Sequence, residues 1–218
     1  MEYFMRQSLL PREPLLRQPR ARGDPFIYIG GMKPQILDRR IVYTGYLNVE
    51  TIRIKLRDGA TVTREIEQHG DAAAVLPYDA ERRCALIARL FRAPVFSVTH
   101  EDALEEACAG MIEKETDEDT ARREAHEELG VRLHALERVA RVWSSPGVST
   151  ERQSLFLAAY IQSDRTSAGG GLPTEHENIT VVERPLAALA SDVDRGAIAD
   201  GKLVTLVLAL RLRKPELF

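Results

Sequence analysis

Cysteine is scarce in this chain: Cys84 and Cys108 stand alone among 218 residues. Two thiols cannot build a disulfide framework, and each sits beside apolar or small residues, so both read as packing groups in a reducing cytoplasm. Cys108 has no histidine at nearby spacing to make it a reactive thiol. Long apolar runs are missing as well. No stretch is long enough to span a bilayer and no hydrophobic region of a secretory signal is visible, which points to a soluble protein with no membrane partner. Positive charge is not in excess either, the formal net charge being -3. A nucleic-acid backbone usually demands a basic face, so there is no global reason to expect that partner, while free nucleotides stay open. Internal repeats and low-complexity arrays are absent.

What is present can bury a core. With 44% hydrophobic residues, the chain supports one good core and room for a small extra subdomain. Residues 1–32 differ from the rest: they hold five arginines, several prolines and three acidic residues and show no sustained periodicity. They are expected to form a mobile basic extension, dispensable for activity. From residue 41 onward short apolar stretches alternate with turn signals. Strands are predicted at 41–46, 49–56 and 60–68, the last two forming a hairpin around Arg57-Asp58-Gly59. Further strands are predicted at 72–77 and 85–91, paired around 79–83, and at 138–143 and 155–161, joined by the loop 144–151. Helices are predicted from about Thr116 to Gly130, over 185–195 with Pro185 opening it, and over 202–212. A long connection at 162–178 carries Gly169-Gly170-Gly171 and then Glu175-His176-Glu177, and leads into an apolar stretch at 179–183. Loops of that length tend to be lids or linkers, and this one can carry an acid over a site. The order of elements is that of a mixed α/β (α+β) architecture.

The helix predicted at 116–130 carries the chemistry. Glu124, Glu127 and Glu128 fall within about one turn, with Glu124 and Glu128 at i, i+4 on the same side. Like charges this close destabilise a helix unless a metal or an arginine neutralises them. Most Glu and Arg clusters are solvated surface. The flanks set this one apart: a Gly-containing loop enters the helix, Thr116 or Asp117 can cap it, acidic residues fill its first turn, and Gly130 ends it. Carboxylate oxygens suit Mg²⁺ or Mn²⁺ better than a site of histidines and thiolates would. His126 faces away from these carboxylates by helical phase.

The run Arg123-Glu124-Ala125-His126-Glu127-Glu128-Leu129-Gly130-Val131 resembles the second half of the Nudix box, the signature of hydrolases that cut nucleoside diphosphates linked to a second moiety. The box covers about 109–131. The likeness extends from about residue 40 to 212 and includes Glu106-Ala107-Cys108-Ala109-Gly110, Ser145-Pro146-Gly147, Thr150-Glu151, Ala168 with the three glycines after it, and 196–202. In the family pattern five residues separate the Gly from the Glu, whereas four lie between Gly110 and Glu115. That shortening occurs in the GDP-mannose hydrolase branch, which sits near the ADP-ribose pyrophosphatases, and this branch is what the chain most resembles.

The resemblance implies a Nudix fold, a mixed sheet sandwiched between helices with an N-terminal antiparallel strand region. Residues 33–70 would then shape a homodimer and its substrate pocket, and 71–213 would form the hydrolase domain. It implies Mg²⁺, or Mn²⁺, held by the Ala109 carbonyl, Glu124, Glu128 and a late-loop Glu177. Catalytic roles fall to Glu177, with Glu175 the alternative, to Glu127, and to Arg123, which bridges Glu115 or Glu127 and orients the cluster. Arg92 is implied as a phosphate contact, and Gly110 and Met111 as substrate contacts. Arg64 and Glu65 would reach the substrate from a partner subunit, and Tyr46 would stack on the base. The implied activity splits a nucleoside diphosphate sugar of the GDP-mannose type into a nucleoside monophosphate and a sugar 1-phosphate, with ADP-ribose as the alternative substrate. A hydrolase of RNA caps or mutagenic nucleotides would keep the same box. A non-catalytic nucleotide-binding module is the reading from a different class, and the retained carboxylates argue against it.

Overall fold

The computed structural model describes residues 33–171 and 178–218. The expected extension at 1–32 therefore lies outside the described residues, as do Glu175 and Glu177. Strands β1 (Gln35–Thr44), β2 (Asn48–Lys55) and β3 (Thr61–Gln68) form an antiparallel three-stranded sheet. Gly59 takes the positive φ of 86° that the β2–β3 turn requires. β1 starts six residues before the predicted strand, at Gln35 opposite Lys55, because ladder hydrogen bonds need no apolar side chains. Every residue of β1 is exposed.

The rest of the chain builds one larger sheet and its helices. In order these are β4 (Ala72–Asp79), β5 (Cys84–Leu90), α1 (Ala93–Thr99), β6 (Leu104–Glu106), β7 (Cys108–Met111) and α2 (Asp117–Leu129). They are followed by β8 (Glu137–Trp143), β9 (Arg152–Ala159), β10 (Thr180–Pro185), α3 (Leu186–Asp194) and α4 (Gly201–Arg213). The main path runs β10-β5-β4-β9-β8, with β4 and β9 parallel and the other neighbours antiparallel. Alternation along β4 sorts the core. Ala73 and Val75 face α2 through Ala121, Ala125 and Leu129. Ala74, Leu76 and Tyr78 face α3 and α4 through Leu186, Leu189, Leu203, Leu206 and Leu210. Both faces are covered, so β4 is buried along its whole length and reads as a continuous apolar run. Among the described residues no helix is long and apolar enough to cross a membrane.

β4 and β5 pair only at their hairpin end, Tyr78 with Ala85 and Asp79 with Cys84. Beyond it they part, and the segment 104–111 fills the split: β6 pairs with β5 and β7 with β4. Residues 108–111, expected as part of a loop entering the helix, are thus a strand. Strands this short show no alternation of their own, and the free edge of β4 decides their conformation. Helix α1 was likewise unpredicted, for it buries no residue and so has no apolar stripe. The ends of α2 match expectation. Thr116 Oγ1 accepts the Asp119 N–H at 3.1 Å, Asp117, Glu118 and Asp119 fill the first turn, and Gly130 closes the helix at φ 67°. Pro185, predicted to open a helix, ends β10 and stands as the residue before α3.

Candidate active site

Helix α2 lies across β7, and their contact is the centre of the site. Glu128, 3% exposed, turns inward beside Ala121, Ala125 and Leu129. Its Oε2 accepts the Ala109 N–H at 3.3 Å. One turn earlier Glu124 lies over Gly110 so closely that a Cβ there would stand 1.7 Å from its Oε1. Both carboxylates therefore converge on the Ala109–Gly110 backbone. Arg123 sits at the rim and holds three more contacts: Nε to Glu115 at 2.7 Å, Nη1 to Glu127 at 2.9 Å, and Nη2 to Glu124 at 2.9 Å. Burial works against its charge, yet Glu115, Glu124 and Glu127 outweigh burial and drive its pKa upward. The pairing with Glu115 forms across the shortened loop. Three glutamates around one guanidinium leave the cluster net negative, which favours a cation.

The donor set fits a hard divalent ion. Two carboxylates gather on the Ala109–Gly110 backbone, whose carbonyls are further oxygen donors. Among the described residues no three His, Cys, Asp or Glu side chains converge on one point, and Arg123 pairs with Glu127 and Glu115. The late loop is fastened to the same place. Gly170 and Gly171 N–H donate to the Glu128 and Glu127 carbonyls at 2.8 and 3.2 Å, and Ile179 N–H donates to Gly170 O at 3.2 Å. Gly130 and Gly169 allow this approach, for a Cβ on Gly169 would stand 2.4 Å from Glu128 O. The glycine run is thus docked on the last turn of α2.

Beside Ala109, a cavity of about 330 Å³ opens between Tyr46, His69, Arg92, Glu106, Glu151 and Lys202, with Gly110 and Met111 in its wall. Tyr46, 93% exposed, stands edge-on to His69 at 6.5 Å. Arg92 clasps Glu106 through Nε at 2.6 Å and Nη2 at 3.1 Å, and Lys202 Nζ reaches Glu106 at 3.1 Å and Asp200 at 2.8 Å. Asp200 also caps α4 by accepting from Lys202 N–H and Leu203 N–H.

Five of the residues nominated from sequence, Tyr46, Arg92, Ala109, Gly110 and Met111, share this cavity. Arg64 and Glu65 do not. They stand on β3 in a separate groove of about 450 Å³ with Ile52, Ile54, Trp143 and Val148. His126 is exposed, as helical phase required. Glu106, His69, Glu151, Asp200 and Lys202 were not nominated. Glu106, Glu151, Asp200 and Lys202 lie in motifs that resemble the family, which was the available signal, but nothing local marks them as neighbours. Cys84 and Cys108 are buried and form no disulfide with each other.

The NUDIX domain profile matches residues 68–204. The GDP-mannose pyrophosphatase of Cronobacter sakazakii is 36% identical over 184 residues, covering 82% of this chain and 95% of its own. That of Pectobacterium atrosepticum is 35% identical, covering 71% and 80%, and that of Escherichia coli O1:K1 is 32% identical, covering 79% and 92%. A solved structure described as an ADP compounds hydrolase superposes with a TM-score of 0.70 at 19% identity, over 86% of this chain and 97% of that one, and so shares the fold. With the domain matched across the whole α2–β7 site and these relatives aligned over 71% to 82% of the chain, this chain belongs to the Nudix hydrolase superfamily.

Proposed function

We propose that this chain is a Mg²⁺-dependent pyrophosphatase that hydrolyses a nucleoside diphosphate sugar of the GDP-mannose type to a nucleoside monophosphate and a sugar 1-phosphate. One observation carries the reading: the two carboxylates gathered on Ala109–Gly110 adjoin a cavity that Ala109, Gly110, Arg92 and Lys202 line together. A diphosphate placed there would share the cavity with two cations and adjoin a cation-collecting cluster. The GDP-mannose pyrophosphatases above support the substrate class.

Ala109, Glu124 and Glu128 would hold the divalent ion, which supplies charge neutralisation on the diphosphate and makes water more acidic. Arg123 holds Glu127 and Glu115 in place, so the helix face keeps its shape whether or not substrate is bound. Arg92 contacts phosphate, Tyr46 offers a face to the base, and the small residue Gly110, with Met111, lets the substrate approach the backbone. Glu177 takes the proton of the attacking water, and Glu175 is the alternative. Glu177→Gln and Glu175→Gln, assayed side by side, are expected to differ, the true base costing the larger share of turnover. Equal mild losses would place the base elsewhere. A cytoplasmic homodimer completes the reading, with Arg64 and Glu65 of one protomer serving its partner's site.

The test is phosphatase-coupled phosphate release from GDP-mannose, ADP-ribose and ADP-glucose, each with and without Mg²⁺. Metal-dependent release from GDP-mannose is expected. A strong preference for ADP-ribose would move the substrate assignment, and silence from folded protein across the panel would overturn the enzymatic reading in favour of a binding module.

A further inference from the structure

Glu106 belongs to no role assigned so far, yet it is one of the few buried charges among the described residues, 4% exposed at the end of β6. It stands in the split between β4 and β5, where 104–111 crosses from one strand to the other. Burial pushes its pKa up, but the hydrogen bonds and charges of Arg92 and Lys202 outweigh burial and hold it below the usual carboxylate range. Lys202 shows the reciprocal effect: burial opposes its charge, and Asp200 and Glu106 raise its pKa all the same.

The two cations come from distant places. Arg92 immediately precedes α1, with its side chain 44% exposed. Lys202 lies in the first turn of α4, with its side chain 15% exposed. Glu106 contacts both. Its two oxygens take the Nε and Nη2 edge of Arg92 as a fork, which sets the plane of the guanidinium, and Oε2 also accepts from Lys202 Nζ. Asp200 secures the arrangement from behind, its Oδ2 accepting the Ala107 N–H at 3.0 Å next to Glu106 in the chain.

We propose that Glu106 is a positioning residue for substrate binding: it holds Arg92 and Lys202, which line one cavity with Ala109 and Gly110, in a fixed orientation. The proposal rests on the reading of this cavity as the diphosphate site. A flexible arginine on the lip of α1 would otherwise have to be ordered by the substrate, at the expense of affinity. Glu106 itself touches no reacting atom.

The experiment is a double-mutant cycle on the full chain, Glu106→Gln, Arg92→Ala and both together, with kcat and KM measured on GDP-mannose and GDP affinity measured by calorimetry in the same four proteins. Glu106→Gln is expected to raise KM about tenfold with kcat nearly unchanged, the pattern of lost uniform binding. In the Arg92→Ala background the same change is expected to cost about threefold or less, because its main partner is already gone. Unchanged KM in Glu106→Gln, or an equal penalty in both backgrounds, would overturn the proposal, since a purely structural role is indifferent to Arg92. Should Glu106→Gln fail to fold, Arg92→Lys replaces it: charge is kept but the fork is lost, so KM should approach that of Arg92→Ala, and wild-type KM would overturn the proposal. If wild-type protein cleaves no nucleotide sugar, the pyrophosphatase reading falls, and the GDP affinities across the cycle still decide the role of Glu106.

Discussion

A methyl group at Gly110 would stand 1.7 Å from Glu124 Oε1 and 2.1 Å from its carboxyl carbon, so Gly110→Ala must push that carboxylate off the backbone it faces. The expected outcome is a Mg²⁺ half-saturation raised roughly 10- to 100-fold with folding intact, read by metal titration of activity. An unchanged titration would separate Glu124 from metal binding. Glu128→Gln tests the neighbour more directly, because the amide oxygen can still accept the Ala109 N–H while the charge is lost. Turnover is expected to fall roughly 10³-fold with the circular dichroism spectrum preserved, and near-wild-type turnover would remove Glu128 from the site. At this scale the sequence was informative wherever partners are close in the chain: Glu124 and Glu128 share a helix face, and Arg123 reaches Glu127 one turn on. It was silent about Glu106 and Lys202, which are 96 residues apart.

Helix α2 is pinned at its start as firmly as at its end. Asp117 accepts from Arg138 of β8 at 2.6 and 2.9 Å and from Ser154 of β9 at 2.7 Å. The Arg138 hydrogen bonds, against a smaller effect of burial, hold its pKa down to about 2. A carboxylate with a depressed folded pKa stabilises the fold above its unfolded value and loses that contribution as pH falls through the folded one. The relevant window is therefore about pH 4 down to 2. Asp117→Asn is expected to lose about 1 kcal/mol of stability at neutral pH, the partial exposure of Arg138 keeping the figure modest, and to converge on wild type toward pH 2. Urea unfolding at several pH values checks this, and a pH-independent difference would assign the effect to packing instead. The caps and acidic first turn of α2 were readable because capping is a matter of three or four consecutive residues. β7 and α1 were not, because neither carries a periodic apolar stripe and each takes its form from what lies beside it.

The whole molecule presents Ile36, Leu37, Ile41, Val42 and Tyr43 of β1 to solvent, each between 46% and 62% exposed. A row of large apolar residues on one strand is what a second copy would cover. Light scattering is expected to give a dimer, and Ile41→Asp with Val42→Asp a monomer of lower activity, since Arg64 and Glu65 would then be parted from the partner's site that we propose they serve. A wild-type monomer would end the shared-site reading. Local order in the sequence, with period 3.6 along α2 and glycines at turns, sufficed for the order of the elements other than α1, β6 and β7, the mixed α/β class and the face that gathers Glu124 and Glu128. Tertiary structure alone decided that β4 and β5 part and that 104–111 fills the gap between them. That decision sets Ala109 against Glu128 and Glu106 against both Arg92 and Lys202. The physical reason is that such contacts follow from strand order and free sheet edges, which no local period in the chain encodes.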